Sequence, residues 1–229
     1  GNADAVPQPP ERCLSRKAGI VRCCPWFSLK EGQQNTMTVE QAKKIVKPLL
    51  GEKRWTHTKN VKKMAVQLAR RWGCDEEKAA VAAILHDSAK ELPKEQLLQI
   101  FADNAIIALD APKRPAPVWH GIAAAILAQT RWGVQDEEIL SAIRCHTTGK
   151  PGMSLLDKIL YLADMTSAER DWPGVDALRR LQMQDLDAAL CLALKQSIDF
   201  VNEKGGTLDP ESVAAYEYAR QHQQPPTSK

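Results

Sequence analysis

Four histidines and two aspartates lie at the ends of predicted helices or apolar segments, where they could do chemistry: His57, His86, His120, His146, Asp87 and Asp164. His86 and Asp87 follow seven apolar residues in AAVAAILHDSAK, and Asp164 ends the segment ILYLAD. Burying an ionised carboxylate without a partner costs several kcal/mol, so each aspartate needs one. A lysine or arginine could satisfy either aspartate alone, and a single histidine could be purely structural. A divalent metal could satisfy both carboxylates and the imidazoles together.

The chemistry that such a metal would support is hydrolysis. Imidazole and carboxylate ligands together suit Fe(II), Mn, Co or Zn better than Ca. A metal held by two imidazoles and two carboxylates keeps coordination positions open, and water there loses a proton more easily and can attack phosphorus. His120 and His146 could ligate a second metal, bind phosphate as imidazolium, or protonate a leaving group. The residue types leave these three roles open.

Three further polar residues lie at helical spacing from these candidates. Arg54 precedes His57 by three residues and shares its helix face, so its guanidinium could grip a phosphate. Lys90 follows His86 by four residues and is either a phosphate contact or a surface lysine at a helix end. Asp157 precedes Asp164 by seven residues on the same face. We expect Asp157 to form a salt bridge or to orient a histidine, and not to bind the metal directly.

The composition and an internal echo indicate helices as the elements that position these residues. Ala and Leu dominate the apolar residues, and only three Phe and three Tyr occur, which favours helices over strands. LARRWGCDEEKAAVAAILHDSAK (68–90) is echoed by LAQTRWGVQDEEILSAIRCHTTGK (127–150). Each has a helix ending in Arg-Trp-Gly, an acidic helix start and a second helix that delivers a histidine. Convergence of common helix signals would also produce such an echo, so it does not establish a duplication.

Start and stop signals divide the rest of the chain into helices. Thr38 and Gln41 predict a capping box, and Gly73 is expected to end the helix that carries His57. Helices are predicted over about 54–72, 75–92, 95–109 (one helix or two short ones), 153–170, 175–205 and 210–221. No convincing strand is present, so the expected fold class is all-α.

Domain organisation and location follow from composition. Residues 1–36 hold four prolines and three glycines without a helical period, so we expect a poorly ordered N-terminal extension. The functional domain is expected over 37–221, followed by a polar tail over 222–229. The six cysteines form no C-x-x-C pair, which indicates reduced thiols in the cytoplasm. No apolar stretch approaches the roughly 20 residues that span a bilayer, so no membrane partner is expected. A net charge of +3 is too small to predict a nucleic-acid partner.

The spacing His57 … His86-Asp87 … Asp164 resembles that of the HD-domain phosphohydrolases over roughly residues 50–170. Four segments are similar to sequences of the bacterial YqeK family: RWTHTKNV, AAILHDSAKELP, VWHGIAAAILA and AIRCHTTGKPGMSLLDKILYLAD. The similarity covers most of residues 38–220. Its most specific part is HTTGKPGMS followed by LDKILYLAD. The segment Met165-Thr166-Ser167 departs from the family, which usually has a more apolar or acidic run before the matching Arg170. That departure puts the nucleotide fit near Arg170 in doubt.

The resemblance implies an all-α, HD-domain helical bundle that hydrolyses diadenosine tetraphosphate symmetrically into two ADP. It implies iron as the cofactor, with Mn, Co, Zn or Mg as alternatives, bound by His57, His86, Asp87 and Asp164. It also implies nucleotide or phosphate contacts from Arg54, His120, His146, Thr147, Arg170, Thr207 and Pro210. Lys90, His120, His146 and Asp157 are the candidates for catalytic or supporting roles. The expected partner is therefore a nucleotide, and a homodimer is the oligomeric state that we consider.

Three other functions stay open at this point. The protein could hydrolyse a different nucleotide, such as a dNTP or a guanosine alarmone, which would release orthophosphate, pyrophosphate or triphosphate. It could be a non-catalytic nucleotide sensor, although a degenerate site would be expected to lose a ligand. It could bind nucleic acid through the basic segment 37–72, which has ten Lys/Arg against two Asp/Glu; such binding would weaken steeply with salt.

Overall fold

The segments rich in Ala and Leu form buried helices, as their composition predicts. The computed structural model describes residues 36–222, and between these residues it contains eleven α-helices and no β-strand. They are α1 Val39–Val46, α2 Glu52–Trp72, α3 Glu76–Leu85, α4 Lys94–Asp103, α5 Ala105–Ala108, α6 Trp119–Thr130, α7 Glu137–Cys145, α8 Leu155–Thr166, α9 Val175–Gln184, α10 Leu186–Glu203 and α11 Pro210–Gln221. Between these helices lie short 3-10 turns at Lys47–Leu49, Ala111–Lys113 and Ala116–Val118. The all-α expectation is confirmed.

Two helices, α3 and α6, lie at the centre of the bundle. Every residue from Ala79 to Leu85 in α3 is buried, and so is every residue from Trp119 to Ala128 in α6. A helix that is apolar on all faces must be surrounded by other elements. Accordingly, α3 packs against α1, α2, α6, α7 and α8. Side chains at the ends of α3 and α6 therefore begin deep inside the molecule.

The echo in the sequence is a recurring local structure. Gly73 and Gly133 both adopt left-handed backbone, with φ of 76° and 71°, a conformation that favours glycine. Asp75 and Asp136 then cap α3 and α7, and each carboxylate accepts two backbone N–H bonds from the first turn. Both helices end one residue before a histidine, His86 or His146. The same local signals thus deliver two imidazoles by the same route.

Four sequence expectations on helix limits need correction. The helix expected over 75–92 ends at Leu85, and the helix expected over 153–170 runs only from Leu155 to Thr166. The single helix expected over 175–205 is two helices, because Asp185 leaves helical geometry with φ −146° and its side chain caps α10 through Ala188 N–H. Asp185 lies within an apolar period that continues on both sides, and periodicity alone did not reveal the break. In addition, His57 lies in the second turn of α2 and not at a helix end. The capping box of Thr38 and Gln41 is confirmed.

The predicted N-terminal extension lies outside the described residues, apart from Thr36, and so does the predicted tail after His222. His222 is exposed and stacks on Tyr218, with ring centroids 3.9 Å apart. Within the described part of the chain, no helix is both long and apolar enough to cross a membrane.

A matched pair of glycines tests how the turn after α7 is packed. Gly133 and Gly149 both have positive φ, but a Cβ at Gly133 would meet nothing within 4 Å, whereas one at Gly149 would lie 2.8 Å from Leu194 Cδ2. Gly133→Ala should lower the free energy of unfolding by about 1–2 kcal/mol, the cost of left-handed backbone. Gly149→Ala should lose a further 1–3 kcal/mol or so from overpacking. Urea unfolding followed by circular dichroism measures both, and equal losses would contradict the packing described here.

Candidate metal centre

Four imidazoles point their Nε2 atoms toward one region between the helix ends. Three of them are held by a backbone carbonyl three residues earlier in the chain, which accepts a hydrogen bond from Nδ1: His86 to Ala83 (2.6 Å), His120 to Pro117 (2.9 Å) and His146 to Ile143 (2.7 Å). A proton on Nδ1 leaves a lone pair on Nε2, which is the arrangement of a metal-binding histidine. The Nε2 atoms of His120 and His146 lie 3.2 Å apart.

Asp87 lies in the middle of these imidazoles and is only 3% exposed. Its Oδ1 is 3.2 Å from His120 Nε2 and 3.7 Å from His146 Nε2. Its Oδ2 is 3.5 Å from His86 Nε2 and 3.6 Å from His57 Nε2, and accepts a 2.8 Å bond from Arg54. The two carboxylate oxygens thus face different pairs of histidines.

Asp164 completes the cluster from α8. Its Oδ1 is 3.1 Å from His57 Nε2 and accepts a 2.5 Å bond from Arg170. Burial alone would raise the pKa of both aspartates, but their polar neighbours hold each pKa below its usual range: His86, His120 and His146 for Asp87, and His57, His86 and Arg170 for Asp164. Both are therefore carboxylates at neutral pH.

The residues fit a divalent cation. The Nε2 atoms of His57 and His86 are buried and find no hydrogen-bond partner among residues 36–222, which is costly unless a ligand takes the lone pair. Burial lowers the pKa of His86 and of His120 to about 4, so both rings are neutral at pH 7 and their lone pairs are available. Three sets of ligand atoms lie within 4.8 Å of one another: His57/His86/Asp87, His86/His146/Asp164 and Asp87/His120/His146.

A cavity of about 960 Å³ extends from this cluster to α10 and the loop before α11. His120, His146, Thr147 and Asp164 line its inner end. The rest of the wall mixes basic residues, acidic residues and apolar ones, and it includes Lys90, Lys113, Lys204, Asp110, Asp209, Glu211, Phe200, Thr207 and Pro210. A cation at the inner end, together with Lys90, Lys113 and Lys204, would let such a cavity bind a polyanion.

The other predicted site residues divide into two groups. Lys90 is at the cluster, with its Nζ 3.3 Å from His120 Nε2, and burial lowers its pKa. Arg54 and Arg170 also lie at the cluster, where each is bonded to an aspartate. Asp157 is elsewhere: it forms a capping box with Ser154 at the start of α8 and lies 3.1 Å from Lys150 Nζ. Its carboxylate accepts hydrogen bonds from the Ser141 hydroxyl and the Ser154 N–H, and it bonds no histidine among residues 36–222.

No sequence pattern pointed to Glu169. The carboxylate of this residue, in the loop between α8 and α9, accepts a short hydrogen bond from His57 Nδ1. Burial would raise the pKa of Glu169, but hydrogen bonds from Ser167, His57 and Asn60 lower it to about 2. A loop residue has no helical period, and only its position beside the predicted Arg170 could have drawn attention to it.

These observations define a helical bundle with a His/Asp cluster that could bind a metal. The HD domain family matches residues 54–169, which contain all six cluster residues. A crystal structure of a predicted HD superfamily hydrolase involved in NAD metabolism, from Clostridium acetobutylicum, is 38% identical with a TM-score of 0.77, over 82% of this chain and 100% of that one. This chain belongs to the HD domain family, whose members are metal-dependent.

Two relatives that this chain matches over nearly their whole length indicate which kind of HD-domain hydrolase it resembles. A Bacillus subtilis protein named bis(5′-nucleosyl)-tetraphosphatase, symmetrical, is 42% identical over 80% of this chain and 97% of its own. A Staphylococcus aureus protein of the same name is 30% identical over 80% of this chain and 94% of its own. The chain is therefore an HD-domain hydrolase similar to the symmetrical bis(5′-nucleosyl)-tetraphosphatases.

Removing Asp87 should abolish metal binding while leaving most of the helix content. This carboxylate faces all four histidines, and without it the remaining ligand set loses its shared anion. Metal content after reconstitution with Fe(II), together with far-ultraviolet circular dichroism, measures both effects in Asp87→Ala. Asp171→Ala, at an exposed position, is the matched control and should bind as the wild type does. Full Fe(II) binding by Asp87→Ala would contradict the assignment.

Proposed function

We propose that this protein splits diadenosine tetraphosphate, and related dinucleoside tetraphosphates, symmetrically into two nucleoside diphosphates. The observation that carries the proposal is the His/Asp cluster with unpartnered imidazole nitrogens at the inner end of a large cavity. The names of the relatives from Bacillus subtilis and Staphylococcus aureus support the same substrate and the same bond.

The cofactor in this proposal is a divalent cation held by His57, His86, Asp87 and Asp164. We propose Fe(II), with Mn, Co, Zn or Mg as alternatives, because a mixed imidazole and carboxylate set suits the first four of these ions. When bound, the cation supplies Lewis acidity, which acidifies water and neutralises charge on phosphate oxygens. His120 and His146, which face the other oxygen of Asp87, would hold a second cation or contact the phosphates.

Residues around the cluster bind and orient the tetraphosphate. Lys90 lies between the cluster and the cavity and would neutralise phosphate charge. The Thr147 hydroxyl lines the cavity, is buried and has no partner within the described residues, so it is free to donate to a phosphate oxygen. Arg54 and Arg170 carry further N–H donors beside the aspartates. Thr207 and Pro210 line the far part of the cavity and would contact a nucleoside.

The site of cleavage depends on which phosphates reach the cluster. A tetraphosphate bridge has three anhydride bonds, and only cleavage of the central one yields two nucleoside diphosphates. Symmetric cleavage therefore requires the middle of the bridge at the cluster and one nucleoside on each side. The cavity extends from the cluster past Lys113 and Lys204, which provides room for one of these halves.

Three of the ten basic residues in segment 37–72 are partnered by acidic residues of the protein itself. Lys43 pairs with Glu40, Arg70 with Glu76 and Arg54 with Asp87, which reduces the charge that this segment offers to a nucleic acid. We also propose that the protein is cytoplasmic and forms a homodimer. Light scattering of the purified chain tests the homodimer.

Product analysis is the central experiment. The Fe(II)-reconstituted protein should convert diadenosine tetraphosphate to ADP alone, as resolved by ion-exchange chromatography, and a chelator should stop the reaction until divalent metal is restored. ATP with AMP would contradict symmetric cleavage. Orthophosphate, pyrophosphate or triphosphate from a dNTP or guanosine alarmone would favour another nucleotide phosphohydrolase. Tight nucleotide binding without turnover would favour a sensor.

Lys90→Met tests the phosphate contact separately from the metal. This substitution keeps the length of the side chain but removes its charge, so kcat/KM should fall by about 10²-fold, as for other losses of a preorganised charge-stabilising donor. Metal content should stay at the wild-type value. The control is Lys63→Met, on the exposed face of α2, and a loss of kcat/KM shared by both variants would mean that Lys90 has no specific role.

A further inference from the structure

Glu169 connects the loop after α8 to the histidine on α2. Its Oε1 accepts hydrogen bonds from His57 Nδ1 and, at 2.7 Å, from Ser167 Oγ. Its Oε2 accepts a 2.7 Å bond from Asn60 Nδ2, three residues after His57 on the same helix. Although the Glu169 side chain is 35% exposed, its carboxylate is thus fixed from both sides.

His57 differs from the other three histidines in how its ring is held. His86 and His146 follow the last residue of a helix and His120 lies in the first turn of one, and each bonds a nearby backbone carbonyl. His57 lies inside α2, where the backbone carbonyls already accept the N–H groups of the helix. Its Nδ1 therefore bonds a side chain from another part of the chain.

The Nε2 of His57 faces the two aspartates of the cluster. It lies 3.1 Å from Asp164 Oδ1 and 3.6 Å from Asp87 Oδ2, yet it makes no hydrogen bond within the described residues. Because Glu169 accepts the Nδ1–H, the lone pair is on Nε2 whenever the ring is neutral. A positive charge is needed between this nitrogen and the two carboxylate oxygens, and either a proton on the ring or a bound cation supplies it: burial lowers the pKa of His57, but Asp164 and Glu169 raise it further than that.

We propose that Glu169 is a positioning residue that fixes the ring orientation and the Nδ1–H tautomer of His57 for cation binding. A carboxylate behind a histidine also makes the imidazole a stronger donor, and loss of such a partner costs about 10–100-fold in metal affinity. The inference rests on the proposed function only in requiring that the cluster holds a cation. It does not depend on the nucleotide.

The loop that carries Glu169 is itself held by α9. The guanidinium of Arg179 donates to three backbone carbonyls, those of Thr166 (3.0 Å), Ser167 (2.8 Å) and Arg170 (2.8 Å). Arg170, the next residue after Glu169, bonds Asp164. One anchored loop therefore positions two candidate ligands, His57 through Glu169 and Asp164 through Arg170.

The test compares Glu169→Gln with the wild type as full-length, metal-free proteins titrated with Co(II) against a chromophoric chelator. Gln keeps the size of the side chain and removes its charge, so the Co(II) dissociation constant should rise about 10–100-fold. Long-range ¹H–¹⁵N spectra of the Zn(II)-loaded proteins should show a hydrogen-bonded His57 Nδ1–H in the wild type and its shift in the variant. Glu217→Gln, at an exposed position on α11, is the matched control for both measurements.

Asn60→Ala provides a second measurement if Glu169→Gln fails to fold. It removes one bond to the carboxylate but leaves Glu169 and His57 in place, so it should weaken Co(II) binding in the same direction and by less. Wild-type affinity and an unchanged His57 spectrum in Glu169→Gln would overturn the inference. Affinity that depends on Glu169 in a protein that does not cleave dinucleotides would support the inference and contradict only the proposed substrate. A wild-type protein that binds no Co(II) would overturn both the metal site and this role of Glu169.

Discussion

The rest of the structure depends on one buried negative charge, that of the Asp87 carboxylate, which must be surrounded by polar partners. It is 3% exposed and surrounded by four imidazoles and one guanidinium. Breaking such an arrangement by removing one partner typically costs about 3–5 kcal/mol. Five separate segments of the chain supply the residues of the cluster, and their helices pack around this carboxylate. The carboxylate therefore organises both the centre of the bundle and its chemistry.

The histidines reach that point through ordinary helix-end chemistry. An aspartate caps the start of α3 and of α7, and the histidine after each helix bonds the carbonyl three residues back. This one hydrogen bond fixes which nitrogen carries the proton, and so leaves the Nε2 lone pair free to bind a cation. His57 has no free carbonyl of this kind inside α2, and Glu169 takes its place. The orientation of each histidine ring is thus determined by the hydrogen bond of its Nδ1, which lies on the side away from the cluster.

The cluster and the cavity work as one site because they share a wall. His120, His146 and Asp164 belong to both, and Lys90 lies between them. A polyphosphate in the cavity would meet Lys90, Lys113 and Lys204 on its wall and, if a cation is bound at the cluster, a Lewis acid at one end. This arrangement favours phosphoanhydride substrates over neutral ones. It agrees with the similarity of the chain to symmetrical bis(5′-nucleosyl)-tetraphosphatases over nearly their whole length.

The sequence by itself determined the all-α class, most helix limits and the types of the cluster residues, because these depend on local signals such as caps, glycines and apolar periods. His86 and Asp87 could be singled out since burial of a charge is visible in the pattern of neighbours. The break between α9 and α10 at Asp185 and the capping box of Ser154 with Asp157 are also local features, although apolar periodicity alone does not reveal them. Only the tertiary structure decided that Glu169 holds His57, because this contact joins residues as far apart as 57 and 169. Such contacts follow from how the helices pack, and no local pattern encodes them.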